Sequence, residues 1–144
     1  MSLYDLMITF APAKMRVKTM LIKEVVVRRQ ESFENAIQKW AEQKAITYTV
    51  FDGNLSLTET ADAVVLFHED YNISKENEGV KDLFLNNGKF AHSIDINGTL
   101  NASVSSFVFW LENHKPKSLI FIGDDNLPKN EKFVKYLELL SDRI

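Results

Sequence analysis

The sequence predicts an α/β fold in three layers, with a mainly parallel sheet of four to six strands between helices. Three observations carry this. Residues 61–70 (ADAVVLFHED) and 117–126 (KSLIFIGDDN) are almost uninterrupted apolar runs that end abruptly in carboxylates, as a strand buried on both faces of a parallel sheet does at its carboxyl end. From residue 32 onward, strand-like runs alternate with helix-period stripes through short links, the pattern of right-handed β-α-β crossovers. A chain of 144 residues with 45% hydrophobic content is long enough for one compact core and too short for two, so residues 1–144 are expected to form a single α/β domain.

Taken in order, residues 1–30 form a β-rich, basic N-terminal segment. Leu6 to Phe10 reads as a strand broken by Pro12. Met15 to Glu24 admits a helix, and Val25 to Val27 end the segment as a strand because consecutive β-branched residues resist helix. Phe33, Ala36, Ile37, Trp40 and Ala41 then make one helical stripe, with Ser32 placed to cap it. Ile46 to Phe51 alternate as a strand and stop at the turn Asp52-Gly53-Asn54, and Leu55 to Thr60 is a polar connection to the central strand, Ala63 to Phe67. Ser74 caps a helix whose apolar stripe is Val80, Leu83 and Phe84. Phe90 to Ile96 is a strand. Asn101 to His114 is a helix with Val104, Phe107, Val108 and Leu111 at core spacing, and Phe109 and Trp110 widening the buried face. Leu119 to Ile122 is the second central strand. Pro128 opens a last helix with Phe133, Val134, Leu137 and Leu140 facing inward.

Composition excludes several classes. There is no Cys, hence no disulfide, thiolate catalysis, Cys-type zinc site or iron–sulfur cluster. No apolar run reaches a membrane span, and the start lacks the basic-then-apolar order of a secretory signal, so a cytoplasmic protein is expected. No GxSxG, Walker, GxGxxG or HExxH pattern is present. Residues 1–30 carry six Lys/Arg against two Asp/Glu, leaving eleven against eighteen in the remainder. Such an arm can grip an acidic partner, pack on its own body, or pair with a second subunit through Met15, Met20 and Leu21. Nucleic acid gains little support, since no aromatic or Gly-rich pattern accompanies the charges.

If the strands are parallel, their carboxyl ends bring four clusters to one rim: Asp52-Gly53-Asn54, His68-Glu69-Asp70, Asp95-Ile96-Asn97-Gly98 and Gly123-Asp124-Asp125-Asn126. Ligands of open parallel sheets bind outside these ends. The candidate ligand residues are therefore Asp52, Gly53, His68, Asp70, Asp95, Asn97, Gly123, Asp124, Asp125 and Asn126, with carboxylates suited to ribose hydroxyls. A rim of that sign repels bare phosphate, so a phosphorylated ligand would need a bridging cation such as Mg²⁺, for which Asp70 and Asp124 are the candidates. Turn and cap formation explains the same residue types without any ligand. A carboxylate beside His68 could raise its pKa into general-base range. Glu76 and Glu78 lie near the start of the helix after the central strand, where carboxylates ordinarily serve the dipole; a glutamate there could also reach over the rim, and Glu78 and Glu69 are the candidate catalytic bases.

Residues 58–140 run TETADAVVLFHED, EGVKDLFLNNGKFAHSIDI, SFVFWLENHKPKSLIFIGDDN and KFVKYLELL. This order resembles the second half of the molybdenum-cofactor carrier proteins, within the Rossmann-like nucleotide-binding folds that include the lysine-decarboxylase-like (SLOG) phosphoribohydrolases. Gly88-Lys89, Trp110-Leu111-x-x-His114 and Gly123 stand at that family's motif positions. The resemblance implies a Rossmann-like sheet and a ligand crevice at its rim. The family's glycine-rich phosphate loop has no counterpart in residues 1–30, and its Arg-bearing loop after the last strand is Gly123-Asp124-Asp125-Asn126 here. Two readings follow: binding, with hydrolysis as an extension, of a nucleotide or nucleoside-like ligand at the rim, or a non-catalytic interaction module on a degenerate fold that forms a homodimer through the N-terminal segment.

Overall fold

The computed structural model describes residues 20–144. The expected strand at Leu6 to Phe10 and the proposed dimer contact at Met15 lie outside the described residues. The elements are β1 (Glu24–Val27), α1 (Ser32–Gln43), β2 (Thr47–Val50), α2 (Leu57–Thr60), β3 (Ala63–His68), α3 (Lys75–Asn86), β4 (Phe90–Asp95), α4 (Leu100–His114), β5 (Leu119–Ile122) and α5 (Glu131–Ser141), with a 3₁₀ turn at Leu127–Lys129. Among the described residues the strands form one five-stranded sheet in the order β2-β1-β5-β3-β4, every neighbouring pair parallel.

The layers follow from the connections. α1 and α4 link strands that step one way along the sheet, and both pack into the larger core with α5. α2 and α3 link strands that step the other way, and the residues around them pack into the smaller core on the opposite face. A single handedness of crossover requires this arrangement. β3 and β5 are buried along their whole length, as runs with helices on both faces must be. Among the described residues no helix is long and apolar enough to cross a membrane.

Beneath the rim the larger core is aromatic. Phe67 packs against Phe33, Phe121, Phe133 and Tyr136 with ring centroids 5.4–5.8 Å apart. Each buried ring contributes roughly 1.5–3 kcal/mol by removal from water, and favourable ring pairs add about 0.5–1.5 kcal/mol more. Gly123 makes this packing possible: a Cβ there would lie 2.6 Å from Phe33 Cε1 and 2.7 Å from Leu127 Cδ1. Its lack of a side chain serves the core rather than close approach to a ligand.

Several local expectations are corrected. Ser32 does not cap α1, whose N-cap position is Glu31 with no side-chain cap of its own. Leu83, Phe109 and Val134 are exposed (40%, 66% and 48%), because each helix rests one stripe on the sheet; in α5 Tyr136 fills the inward position instead. The connection at 55–60 contains the short α2, where Glu59 Oε1 accepts the Ser56 N–H at 3.2 Å. Pro128 lies in the 3₁₀ turn, and Asn130 caps α5 by accepting the Lys132 N–H. Met20 and Leu21 pack on this chain's own core rather than standing free as a contact surface, and residues 20–23 are not helical.

Candidate functional site

The strand order fixes which loops meet. β5 leads to α5 on the larger-core face, whereas its neighbour β3 leads to α3 on the other face. The two loops therefore part at the carboxyl ends, which is where an open α/β sheet forms its ligand crevice. β1 lies on the other side of β5, so Arg28 and Arg29 enter the centre of the rim. Their placement overturns the expectation of a uniformly acidic rim that needs a cation to accept phosphate.

The centre is a closed polar cluster. Arg28, with only 9% of its side chain exposed, donates from Nη1 to Glu76 Oε2 at 3.0 Å and from Nη2 to Asn77 Oδ1 at 2.6 Å. Asn77, 3% exposed, passes the connection on by donating from Nδ2 to Asp124 Oδ1 at 3.1 Å. Its position follows from local sequence: Ser74 caps α3 by accepting the Asn77 N–H, which turns the Asn side chain off the first turn toward β5. Burial pushes the Arg28 pKa below its ordinary value, with Glu76 opposing.

Beside this cluster, Asp125 reaches back to accept the Phe33 N–H at 3.1 Å. The carboxylate thereby caps α1 from a position 92 residues away. A helix start following the first strand is where a phosphate would bind; here a protein carboxylate holds it. In the same first turn Glu34 is fully buried, with neither carboxylate oxygen hydrogen-bonded and Arg29 Nε at 3.8 Å. Burial raises the Glu34 pKa, and Asp125 adds to the rise while Arg29 opposes it.

The β3–β4 half of the rim is a second network. Asp95 Oδ1 accepts the N–H groups of Asp70 (3.1 Å) and Asn97 (2.9 Å), and Asn97 Nδ2 donates to Asp70 Oδ2 at 2.9 Å. Asn130, at the start of α5, donates to Glu69 Oε2 at 2.6 Å. His68 is 3% exposed and accepts the Tyr71 N–H on Nδ1 at 3.0 Å, so the neutral ring carries its proton on Nε2. Desolvation lowers the His68 pKa against the pull of Asp95 and Asp70. The expectation that a neighbouring carboxylate would raise it is thus reversed by burial.

The expected residues divide accordingly. His68, Glu69, Asp70, Asp95 and Asn97 meet in one network and Asp124 belongs to the central one, while Asn126 is exposed just before the 3₁₀ turn. Asp52 and Gly53 form an exposed turn at the far edge strand, where Asp52 Oδ1 accepts the Asn54 N–H. They do not join the others. Asp70 and Asp124 sit in separate networks, and among the described residues no group of three His, Asp or Glu side chains is arranged to hold a metal ion. Glu78 lies 3.7 Å from Lys81 on α3, and Glu76 is the first-turn glutamate that meets the arginines. The sequence pattern does not place Arg28, Arg29, Glu34, Asn77, Tyr71 or Asn130 at the rim, and of the two glutamates at the start of α3 it favours Glu78, whereas the structure brings Glu76 to the arginines. One signal for the arginines was present: they directly follow Val25–Val27, as the other rim clusters follow their strands.

A parallel sheet between helices, with a polar cluster at a strand-order switch point, is a Rossmann-like three-layer α/β fold. Such a fold is found in the crystal structure of a protein from Syntrophus aciditrophicus named "Putative molybdenum carrier protein", to which this chain is similar with a TM-score of 0.61 at 15% identity, over 85% of this chain and 95% of that one. At that identity the likeness is one of fold. No family model matches the chain, and no curated protein matches it.

Proposed function

We propose that the protein binds a small nucleoside-like or nucleotide ligand in the crevice between the β5 loop and the start of α3. The observation that carries this reading is the convergence of Arg28, Glu76, Asn77 and Asp124 beside the boundary at the middle of the sheet where the neighbouring strands β5 and β3 send the chain to opposite faces. Asp124 and Glu76 are acceptors for ribose hydroxyls, and Arg28 and Arg29 supply the positive charge for an anionic group. Because Asp125 occupies the start of α1, a phosphate would be met by arginine rather than by a glycine loop. The likeness to a protein named for carrying a small cargo supports ligand binding at the level of the fold. Hydrolysis is the finer part of the proposal, with Glu69 at the crevice as base and Glu78 further along α3.

A second reading, a non-catalytic interaction module, is favoured by one observation: Asp125 already occupies the start of α1, and the Arg28–Asn77–Asp124 chain pairs the central polar side chains with one another. A thermal-unfolding screen separates the two. Adenosine, AMP, ADP and ribose 5-phosphate are tested with and without Mg²⁺. A bound ligand at about 100 times its Kd adds roughly 2.7 kcal/mol, a shift of several degrees at this size. The proposal expects such a shift in the wild type and its loss in Asp124→Ala. No shift with any of them moves the assignment to the interaction module.

A further inference from the structure

The loop after β3 holds two consecutive non-glycine residues in the left-handed region, Asp70 at φ 52° and Tyr71 at φ 64°. The Asn72 N–H donates to the Glu69 carbonyl at 2.8 Å and the two residues form an antiparallel bridge. This is the pattern of a type I′ turn, whose central positions ordinarily take Gly or Asn because side chains resist positive φ. A tyrosine there is strained, and such strain persists only where the surroundings over-determine it. They do: the Tyr71 N–H is held by His68 Nδ1, the Asp70 N–H by Asp95, and the Asp70 carboxylate by Asn97. The turn does not use this strain to bury the ring. Tyr71 is 79% exposed, the most exposed of the large hydrophobic side chains among the described residues. Its ring lies 4.8 Å from that of His68, tilted by 32°, on the strand that borders the crevice.

We propose that Tyr71 is the ring-binding residue of the rim, a platform on which the planar base of a nucleoside-like ligand stacks, with His68 fixing the platform from below. The inference rests on the crevice assigned above and adds the class of ligand: one that carries a flat aromatic ring as well as hydroxyl or anionic groups. His68 suits the supporting role. It is buried, neutral and locked in one tautomer by the Tyr71 N–H, so the platform carries no charge of its own. Stacking on an aromatic side chain tolerates any base, because every base has a π-face.

The test uses the full chain with adenosine, AMP and the ringless ribose 5-phosphate, and three variants: Tyr71→Ala, Tyr71→Gly and Asp124→Ala. Tyr71→Ala is expected to weaken adenosine and AMP at least tenfold while leaving ribose 5-phosphate within a factor of two. Tyr71→Gly, which relaxes the turn, is expected to unfold within about 2 °C of the wild type or above it, with the same loss of adenosine binding. Equal weakening of ringed and ringless probes overturns the inference, and so does a Tyr71→Gly midpoint several degrees lower, since either result makes the tyrosine a structural brace. If Asp124→Ala abolishes binding while Tyr71→Ala keeps full adenosine affinity, the platform falls and the crevice stands. If none of the probes binds the wild type, both fall.

Discussion

Asn77→Ala cuts the centre of the rim. The side chain is 3% exposed and links two charged groups, accepting from Arg28 at 2.6 Å and donating to Asp124 at 3.1 Å. Hydrogen bonds to charged groups are worth about 1.5–3 kcal/mol each. The two are not additive here, because Asp124 is half-buried and can recover some water when its partner is removed. Arg28 keeps only Glu76, whose side chain is 61% exposed and contributes little. Alanine is the better helix former by a few tenths of a kcal/mol, which acts in the other direction. The net expected loss is about 3 kcal/mol, a fall in midpoint of roughly 9 °C at this chain length. Urea and thermal unfolding followed by circular dichroism measure it. Asn77→Asp keeps the acceptor for Arg28 but loses the donor to Asp124 and sets a carboxylate against it, so it should also lose stability in the same assay. A loss below about 1 kcal/mol in Asn77→Ala would refute the view that this residue holds the rim together.

Gly123→Ala forces a methyl group against Phe33 and Leu127 at under 3 Å; a loss of about 2–3 kcal/mol is expected in the same unfolding assay, with ligand affinity reduced only through the displaced loop. Glu34→Gln tests the buried, unpartnered carboxyl. Its folded pKa is raised chiefly by burial, so stability declines as pH climbs from about 4.5 through the folded value. The glutamine variant should gain on the order of 1 kcal/mol at pH 7 and nothing at pH 4. His92 behaves oppositely. Burial, aided by His114, lowers its pKa to about 4. The unfolded chain takes up the proton first, and stability present above about pH 6.5 is lost as pH falls toward 4, by about 3 kcal/mol. His92→Phe, which keeps a ring against Phe107 and Trp110, should flatten unfolding curves across that window.

The parts of the molecule readable in advance were those whose cause is local. β3 and β5 announce themselves because both faces are covered, so their residues can be apolar without alternation. Ser74 caps α3 as its position suggests. Val25–Val27 read as a strand, but the basic residues on both sides of it read as one arm, which masks the separate place of Arg28 and Arg29. Their role depends on β1 lying beside β5, and a pairing between residues 25–26 and 119–120 has no local signature. The same holds for Asp125 capping α1 and for Asn130 holding Glu69 across 61 residues. Asp52 failed as a site residue for the complementary reason. Its local sequence is a good rim loop, but β2 is the edge strand, with β1 and β5 between it and β3. Phe109 and Val134 misled because an apolar residue beside a core stripe carries no mark of which side of the boundary it occupies.

Amide ¹H–¹⁵N spectra of the labelled protein, recorded during titration with adenosine, test whether a ligand enters the crevice between the β5 loop and the start of α3. Binding there shifts the amides of Arg28, Tyr71, Asn77, Gly123, Asp124 and Asp125 most. Shifts confined instead to the 390 Å³ groove between α1 and α5, lined by Trp40, Phe133 and Leu137, would contradict it, as would a spectrum that adenosine leaves unchanged.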